Sequence, residues 1–277
     1  MAVTETGIDI VSVCTPSGTH SSIVRRCADL EVDVLCEKPL DITVERVNGM
    51  IAACEEADVT LAGVFQRRTH PGVRRAKEAV AAGELGPLVI ADVDVRWHRS
   101  QEYYDSADWR GTRAMDGGVL MNQAIHSIDL LGWLGGDIEW VSANLGTLAR
   151  NLEVPDTAVI DVRLGTGMLG TIRATTAAHT DHPVALELTG EDGALQLQGD
   201  DIESFETTDG SVAVAVDDRP EWGVGHAKQI QEFIDALHEG HGPMVPAAEA
   251  RKAVDVILAA YEPNARGEAV DVAEIRE

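Results

Sequence analysis

The stretch Asp33-Val34-Leu35-Cys36-Glu37-Lys38-Pro39-Leu40 decides how this 277-residue chain is read. Residues 32–37 form an apolar run that reads as a buried strand. The run ends on a lysine and is stopped by a proline. Pro39 lacks an N–H and biases Lys38 toward an extended backbone, so the main chain sets where that side chain points. Glu37 and Lys38 fall at the carboxyl end of the strand, where open α/β sheets bind their ligands. The plain alternative is a surface lysine at a strand end. Against it, the chain has only four lysines (Lys38, Lys77, Lys228 and Lys252), and this one follows an apolar strand.

On the N-terminal side, residues 8–14 are a second near-continuous apolar strand ending at Thr15-Pro16, and residues 20–30 read as a helix. On the C-terminal side, residues 43–57 read as a helix with Thr43 as N-cap and Glu45 in its first turn. Residues 59–65 are a third strand. Strand–helix–strand–helix–strand with short links means a parallel sheet with right-handed crossovers, half of a doubly wound domain. After a helix over 71–82, ending at Gly83, the pattern changes. Residues 88–97, 139–148, 158–164, 169–176, 185–189 and 194–197 read as strands joined by several glycine-containing turns, which predicts a largely antiparallel sheet. A helix over about 119–134 lies inside this region, and helices over 226–238 and 247–260 follow it. No internal repeat or low-complexity segment is present.

Composition narrows the class. Hydrophobic residues make up 44% of the chain, so a core is available, and aromatics only 4%, so aliphatic packing dominates it. No apolar run approaches the ~18 residues of a membrane span, and no basic-then-apolar leader opens the chain. The net charge of −25, from 47 acidic and 22 basic residues, argues against nucleic acid as a partner. High acidity with scarce lysine resembles proteins that work in high salt, where the self-repulsion is screened; an ordinary acidic cytoplasmic protein is the alternative. Cys14, Cys27, Cys36 and Cys54 contain no C-x-x-C pair, so no zinc site is expected. Cys14 and Cys36 read as small core residues in strands, in keeping with a reducing, cytoplasmic setting.

Five motifs, in order, resemble the glucose-fructose oxidoreductase / inositol dehydrogenase / rhizopine-catabolism (Gfo/Idh/MocA) family. They are Cys14-Thr15-Pro16-Ser17-Gly18-Thr19-His20, the Glu37-Lys38-Pro39 run, Gly63-Val64-Phe65-Gln66-Arg67-Arg68, Asp108-Trp109-Arg110-Gly111, and Gly117-Gly118-Val119-Leu120-Met121-Asn122-Gln123-Ala124-Ile125-His126. The resemblance spans essentially the whole chain. It implies a truncated Rossmann-like parallel sheet over residues 1–65, followed by a substrate and oligomerisation domain over 66–277 with a mostly antiparallel, open-faced sheet and flanking helices. It also implies NAD or NADP as cofactor. Family members open on a strand and a Gly-x-Gly-x-x-Gly loop that holds the pyrophosphate at a helix N-terminus. This chain aligns from just before the family's fourth strand, about 60 residues or two βα units later. Weak dinucleotide binding and an open sheet edge are the expectations that follow. Gly165-Thr166-Gly167-Met168-Leu169-Gly170 fits the glycine fingerprint literally, but both flanks are β-rich, so it reads as a hairpin turn.

The chemistry centres on the 119–134 helix. Asn122 and His126 are four apart and share a face, while Leu120, Ile125, Ile128, Leu130 and Leu131 supply core. A lone histidine on such a helix is more often a satisfied core residue than a catalyst. The resemblance reverses that prior, because the family's catalytic histidine occupies this position. An imidazole suits removal of a hydroxyl proton as hydride leaves the same carbon. The resemblance implies that Lys38 orients the substrate oxygen and stabilises its charge, and that residue 122 positions substrate. Many members carry aspartate there. Asn122 can hydrogen-bond a hydroxyl but cannot act as a base at neutral pH, so His126 carries the proton. Arg110 and Trp109 resemble loop residues near the nicotinamide and substrate, with a surface Trp–Arg stack as the alternative. Thr15, Ser17, His20, Glu37, Lys38 and Gln66 are carried over as cofactor-side contacts. Asp129, one turn past His126, could orient its ring, cap the helix or face solvent. His179, Asp181 and His182 could suggest a metal, but no third ligand is indicated and a strand-end turn is preferred.

The leading expectation is therefore an NAD(P)-dependent dehydrogenase of a sugar, inositol or nucleotide sugar, working as a homodimer or homotetramer, with no nucleic-acid or membrane partner. The alternative is a non-catalytic sugar- or protein-binding relative, or an inactive fragment, since the glycine loop is absent. A zinc alcohol dehydrogenase ranks third, for want of ligand-spaced cysteines.

Overall fold

A computed structural model of the chain describes residues 7–213, 223–266 and 269–276, the side chains of 263–266 aside. The first unit runs β1 (Ile10–Val13), α1 (His20–Ala28), β2 (Asp33–Cys36), α2 (Val44–Glu56) and β3 (Leu61–Gly63). The three strands are parallel in the order β1-β2-β3, with Val11 opposite Val34 and Val34 opposite Leu61. Each helix turns a narrow apolar stripe to the core: Val24, Cys27 and Ala28 from α1, and Val47, Met50 and Cys54 from α2. Thr43 caps α2 by accepting the Arg46 N–H at 3.3 Å. This half-domain follows the expected order, with each strand shorter than its apolar run.

The chain then passes through α3 (Pro71–Ala81), β4 (Leu88–Arg96), a short α4 (Gln101–Asp105) and α5 (Ile125–Gly135). The meander β5 (Ile138–Gly146), β6 (Thr157–Leu164) and β7 (Leu169–Thr175) follows, and then β8 (Ala185–Gly190), β9 (Gly193–Gln198), β10 (Asp201–Thr207) and β11 (Gly210–Ser211). Helices α6 (Val224–Glu239) and α7 (Ala247–Arg266) and a short β12 (Val270–Asp271) close it. Nine strands form one sheet in the order β11-β10-β9-β8-β4-β7-β6-β5-β12. All pairings are antiparallel except β4 with β7, where Ile90 lies opposite Leu169. The glycine run 165–170 turns the β6–β7 hairpin, with Gly167 at φ +88°, as the flanking residues predict.

One face of the large sheet is covered. Ala158, Ile160, Val162 and Leu164 of β6 and Ile172 and Ala174 of β7 are buried, in one core with Ile125, Ile128 and Leu131 of α5. The intervening residues Val159, Asp161, Arg163, Leu169 and Arg173 are exposed. The C-terminal helices return to the small sheet. Phe233 of α6 packs on Leu35, Ala62 and Val64. Gln229, 2% exposed, accepts the Phe65 N–H at 3.0 Å and donates to the Gly63 carbonyl at 2.8 Å. The segment before α7 closes the outer edge of β3, where Gly63 N–H donates to the Val245 carbonyl at 3.0 Å. Among the described residues no helix is long and apolar enough to cross a membrane.

Two side-chain expectations are corrected. Cys14 is exposed, because β1 ends at Val13 and Cys14 already belongs to the loop at the strand's carboxyl end; Cys36 is buried as expected. Asp129 neither caps α5 nor faces solvent: it is 5% exposed and ion-paired, as described below.

Candidate active site

The carboxyl ends of β1 and β2 open on a cleft of about 410 Å³. Thr15, Ser17, Glu37, Lys38, Trp109 and Asn122 all line it, together with Cys14 and the two prolines. Six residues separated by up to 107 positions are thus brought to one place. The loop after β1 reaches the glycine turn through Gly18, where an added Cβ would sit 2.1 Å from the Ala114 carbonyl oxygen. The Lys38–Pro39 peptide is cis.

Behind the cleft, His20 is 1% exposed, with Nδ1 2.8 Å from the Pro39 carbonyl and Nε2 2.7 Å from the Thr15 carbonyl. Both ring nitrogens are engaged by main chain. His20 thus ties the loop after β1 to the loop after β2 and does not face the cleft.

The helix carrying Asn122 and His126 is not uniformly α-helical. Residues Leu120–Ala124 form a wide π turn before α5 begins at Ile125, a distortion common at functional sites. Gly117 and Gly118 enter it at φ +75° and +84°, where side chains are rarely accommodated; a Cβ on Gly118 would also lie 2.8 Å from the Pro155 carbonyl. Of the five residues in the turn, only Asn122 is not buried. Its backbone oxygen accepts from Lys38 Nζ at 2.8 Å, which anchors the lysine after β2 to the helix that carries His126.

Burial lowers the Lys38 ammonium from its ordinary value, while the charges of Glu37 and Asp116 pull it back up. His126 is held well below the ordinary imidazole value, first by burial and then by the positive charges of Lys38 and Arg67, with His226 acting in the same direction. It is therefore neutral at physiological pH and able to accept a proton. Its Nδ1 is buried without a partner, and its ring stands edge-on to Phe65 at 5.9 Å.

Arg68, next but one to Gln66, makes a bidentate pair with Asp129, at 2.9 and 2.6 Å, and reaches Glu249 at 3.2 Å. Its guanidinium also lies 5.2 Å from the Trp133 ring centre. Burial pushes the Asp129 carboxyl up to about 6, against the pull of Arg68. Asp129 therefore anchors α5 to the end of β3. Arg67 donates to the Ser127 hydroxyl at 3.2 Å and pairs with Asp200.

Arg110 stacks between Trp109 and Tyr103, 4.7 and 4.3 Å from the two ring centres. The Trp–Arg stack is therefore real, and it stands at the cleft wall. Arg110 Nε and Gln66 Oε1 are, like His126 Nδ1, buried without partners. Arg110, next to the cleft-lining Trp109, leaves a buried donor open and Gln66 a buried acceptor, and such groups fit a ligand rich in both, as a nicotinamide dinucleotide is. Of the residues carried over as cofactor contacts, Thr15, Ser17, Glu37 and Lys38 line the cleft where such a ligand would be held, and Gln66 does not line it. Among the described residues no group of three His, Cys, Asp or Glu could hold a metal. Asp181 instead accepts the His98 N–H at 2.6 Å, making the strand-end turn expected for that segment.

Two site groups are not signalled by the motifs. His226, in the first turn of α6, lies 3.6 Å from Glu37; only its place at a helix start hints at a role. Asp116, immediately before the two glycines, is 2% exposed and accepts from Asn122.

A family model described as "Oxidoreductase family, NAD-binding Rossmann fold" matches residues 2–65, and a GFO/IDH/MocA C-terminal domain model matches residues 73–196. The myo-inositol 2-dehydrogenase of Thermotoga maritima is 26% identical over 270 residues, covering 91% of this chain and 76% of the relative. The D-xylose 1-dehydrogenase (NADP(+)) 2 of Haloferax volcanii is 28% identical over 290 residues, covering 96% and 81%. Among solved structures, the WlbA dehydrogenase of Bordetella pertussis in complex with NADH and UDP-GlcNAcA matches with a TM-score of 0.89 and 30% identity, over 97% of this chain and 81% of that one. Motifs, two-sheet architecture and relatives agree: the chain belongs to the Gfo/Idh/MocA oxidoreductase family.

Proposed function

We propose that this chain is a nicotinamide-dependent dehydrogenase in which His126 exchanges the proton and Lys38 holds the reacting oxygen of a sugar, inositol or nucleotide-sugar hydroxyl. The observation that carries this reading is the pairing of a half-buried lysine, fixed to the Asn122 carbonyl, with a neutral histidine one π turn further along. In the oxidising direction the hydroxyl proton passes to the imidazole of His126, which is uncharged and so can take it. Lys38 Nζ stabilises the negative charge that grows on the oxygen. Asn122 offers hydrogen bonds that position the ring hydroxyls. A bound nicotinamide supplies the hydride acceptor. In the reducing direction the same residues act in reverse. Among the candidate substrates, the 30% likeness to a dehydrogenase solved with UDP-GlcNAcA favours a nucleotide-linked sugar acid.

The test is dinucleotide reduction, followed by absorbance, with UDP-GlcNAcA, myo-inositol and D-xylose, each with NAD and with NADP. His126→Ala and Lys38→Ala are each expected to lower kcat by about 10²–10⁴-fold. Near-normal turnover in His126→Ala would overturn the assignment of the base.

The exposed face of β6 and β7 supports assembly as a homodimer or homotetramer. Val159 and Leu169 are 45% and 56% exposed on a face that alternates them with Asp161, Arg163 and Arg173. A second copy placed on the same face would bury both.

A further inference from the structure

Asn122 touches two charged residues with two different parts of itself. Its backbone oxygen takes the Lys38 ammonium at 2.8 Å. Its side-chain nitrogen donates to the Oδ1 of Asp116. The other carboxylate oxygen of Asp116 accepts the Gly111 N–H at 2.6 Å. An ionised carboxylate only accepts, so this contact assigns the Asn122 amide: the NH₂ group faces Asp116, and the carbonyl end is turned away from it. Asn122 lines the cleft and is the only residue of its turn that is not buried.

We propose that Asp116 is a positioning residue of this site: it orients Asn122 so that the amide oxygen is offered to a substrate hydroxyl, and its negative charge is the counterpart of the Lys38 ammonium. The proposal rests on the dehydrogenase reading for the word substrate, but the arrangement of the three side chains does not. The titratable groups around Lys38 are Glu37 on its own loop, Asp116 from the glycine turn and the neutral His126 from the helix beyond it. Around Asp116 lie the cations Arg110 and Lys38 and the hydroxyls of Tyr104 and Tyr261. Burial pushes the Asp116 carboxyl up, and the Asn122 and Gly111 N–H groups with the two cations pull it down. Removing its charge leaves Lys38 with Glu37 alone against the effect of burial.

The experiment measures how fast Lys38 is acylated by a brief pulse of acetic anhydride, across pH, by peptide mass spectrometry on the intact chain. Lys77, Lys228 and Lys252 serve as internal controls. Asp116→Asn is expected to shift the Lys38 profile to lower pH, so that Lys38 is labelled about 3- to 10-fold faster at pH 8, the change for half to one pH unit. The exchange variant Asp116→Asn/Asn122→Asp keeps one carboxylate and one amide across the same contact and is expected to restore the profile. An unmoved Lys38 profile in an Asp116→Asn chain that melts like the original would overturn the proposal. If Asp116→Asn does not fold, the exchange variant decides: a restored profile supports the pairing, and a shifted one overturns it. The unaltered chain gives a third reading. A Lys38 midpoint below about pH 8 would mean that no counter-charge holds the ammonium, and would also overturn the proposal. Labelling needs neither cofactor nor turnover. A chain that reduces no dinucleotide would defeat the dehydrogenase reading and leave this result standing, whereas an active chain whose Lys38 ignores Asp116 would do the reverse.

Discussion

Strand β2 and strand β6 bury their side chains by different rules. Val34 and Cys36 of β2 enter the main core, while Leu35, on the opposite face, packs against Phe233 of α6. Strand β6 buries Ala158, Ile160, Val162 and Leu164 and leaves Val159, Asp161 and Arg163 exposed. A parallel strand covered on both faces has no free surface except at its ends, and the site is built at one of them. An antiparallel strand covered on one face keeps a surface along its whole length, which suits a partner. The proposed chemistry and the proposed assembly thus fall on strands that are covered in different ways.

If that contrast is right, equal truncations will have unequal effects. Leu35→Ala in β2 is expected to cost about 2–5 kcal/mol of unfolding free energy. Leu169→Ala, on the open face of β7, is expected to stay within about 0.5 kcal/mol for the monomer. Urea unfolding at low protein concentration compares them, and similar losses would erase the distinction.

Asp156 tests the large sheet at its end. It is fully buried and accepts the N–H groups of Leu148, Ala149 and Arg150, between 2.9 and 3.0 Å, and the Thr157 hydroxyl. Burial pushes its carboxyl up, but these donors outweigh it and hold the group below its usual range. A carboxyl whose folded value is depressed stabilises the fold above its unfolded value of about 3.9, and that contribution is lost as pH falls through the folded value. Asp156→Ala should cost about 1–3 kcal/mol at pH 7. The difference between the two chains should narrow as pH falls below about 3.9 toward the folded value; a gap that stays constant over that range would refute the charge as its source.

The open face itself is probed by Val159→Arg with Leu169→Arg. Light scattering at micromolar protein should show the oligomer of the original chain reduced to monomer, while the melting of each subunit stays near its original value. A monomeric original chain would remove the assembly half of the contrast. The smallest effect concerns charge spread over both sheets. With a net charge of −25, raising salt from 0.1 to 1 M should screen self-repulsion and raise the melting midpoint by about 2–4 °C, the size of a 1 kcal/mol change. A flat salt response would place the repulsion below that scale.

The sequence made the first three strands and their helices readable because buried parallel strands are continuous apolar runs. Lys38, Thr15, Ser17, Glu37, Trp109 and Asn122 were found together because each closes such a run or sits in a recognisable motif. Strand β10 was illegible for a physical reason. The bulge between Ile202 and Ser204 breaks its two-residue period, so Phe205 alone is fully buried. Helix α4, at five residues, is too short to show a period. Cys14 was misread because one residue separates a strand's last buried position from its exposed end. Asp129 was misread because its partner, Arg68, lies 61 positions away and nothing local announces it. Asp116 escaped because an acidic residue before two glycines reads as a turn, and only the folded π turn brings Asn122 onto it.

The placement of β4 has a consequence for how the chain reaches this state. Strands β5 to β7 form one hairpin ladder and β8 to β11 another, each from neighbouring segments, yet the two ladders meet only through β4. That strand is made first and must wait for Leu169 to find Ile90 across 79 positions. Such non-local pairing must offset loop-closure entropy before its contacts stabilise it, so it forms later than the local hairpins. Until β4 inserts, β7 and β8 are both unprotected edges able to pair with other chains. The rate at which β4 is captured therefore sets how long a newly made molecule remains open to aggregation.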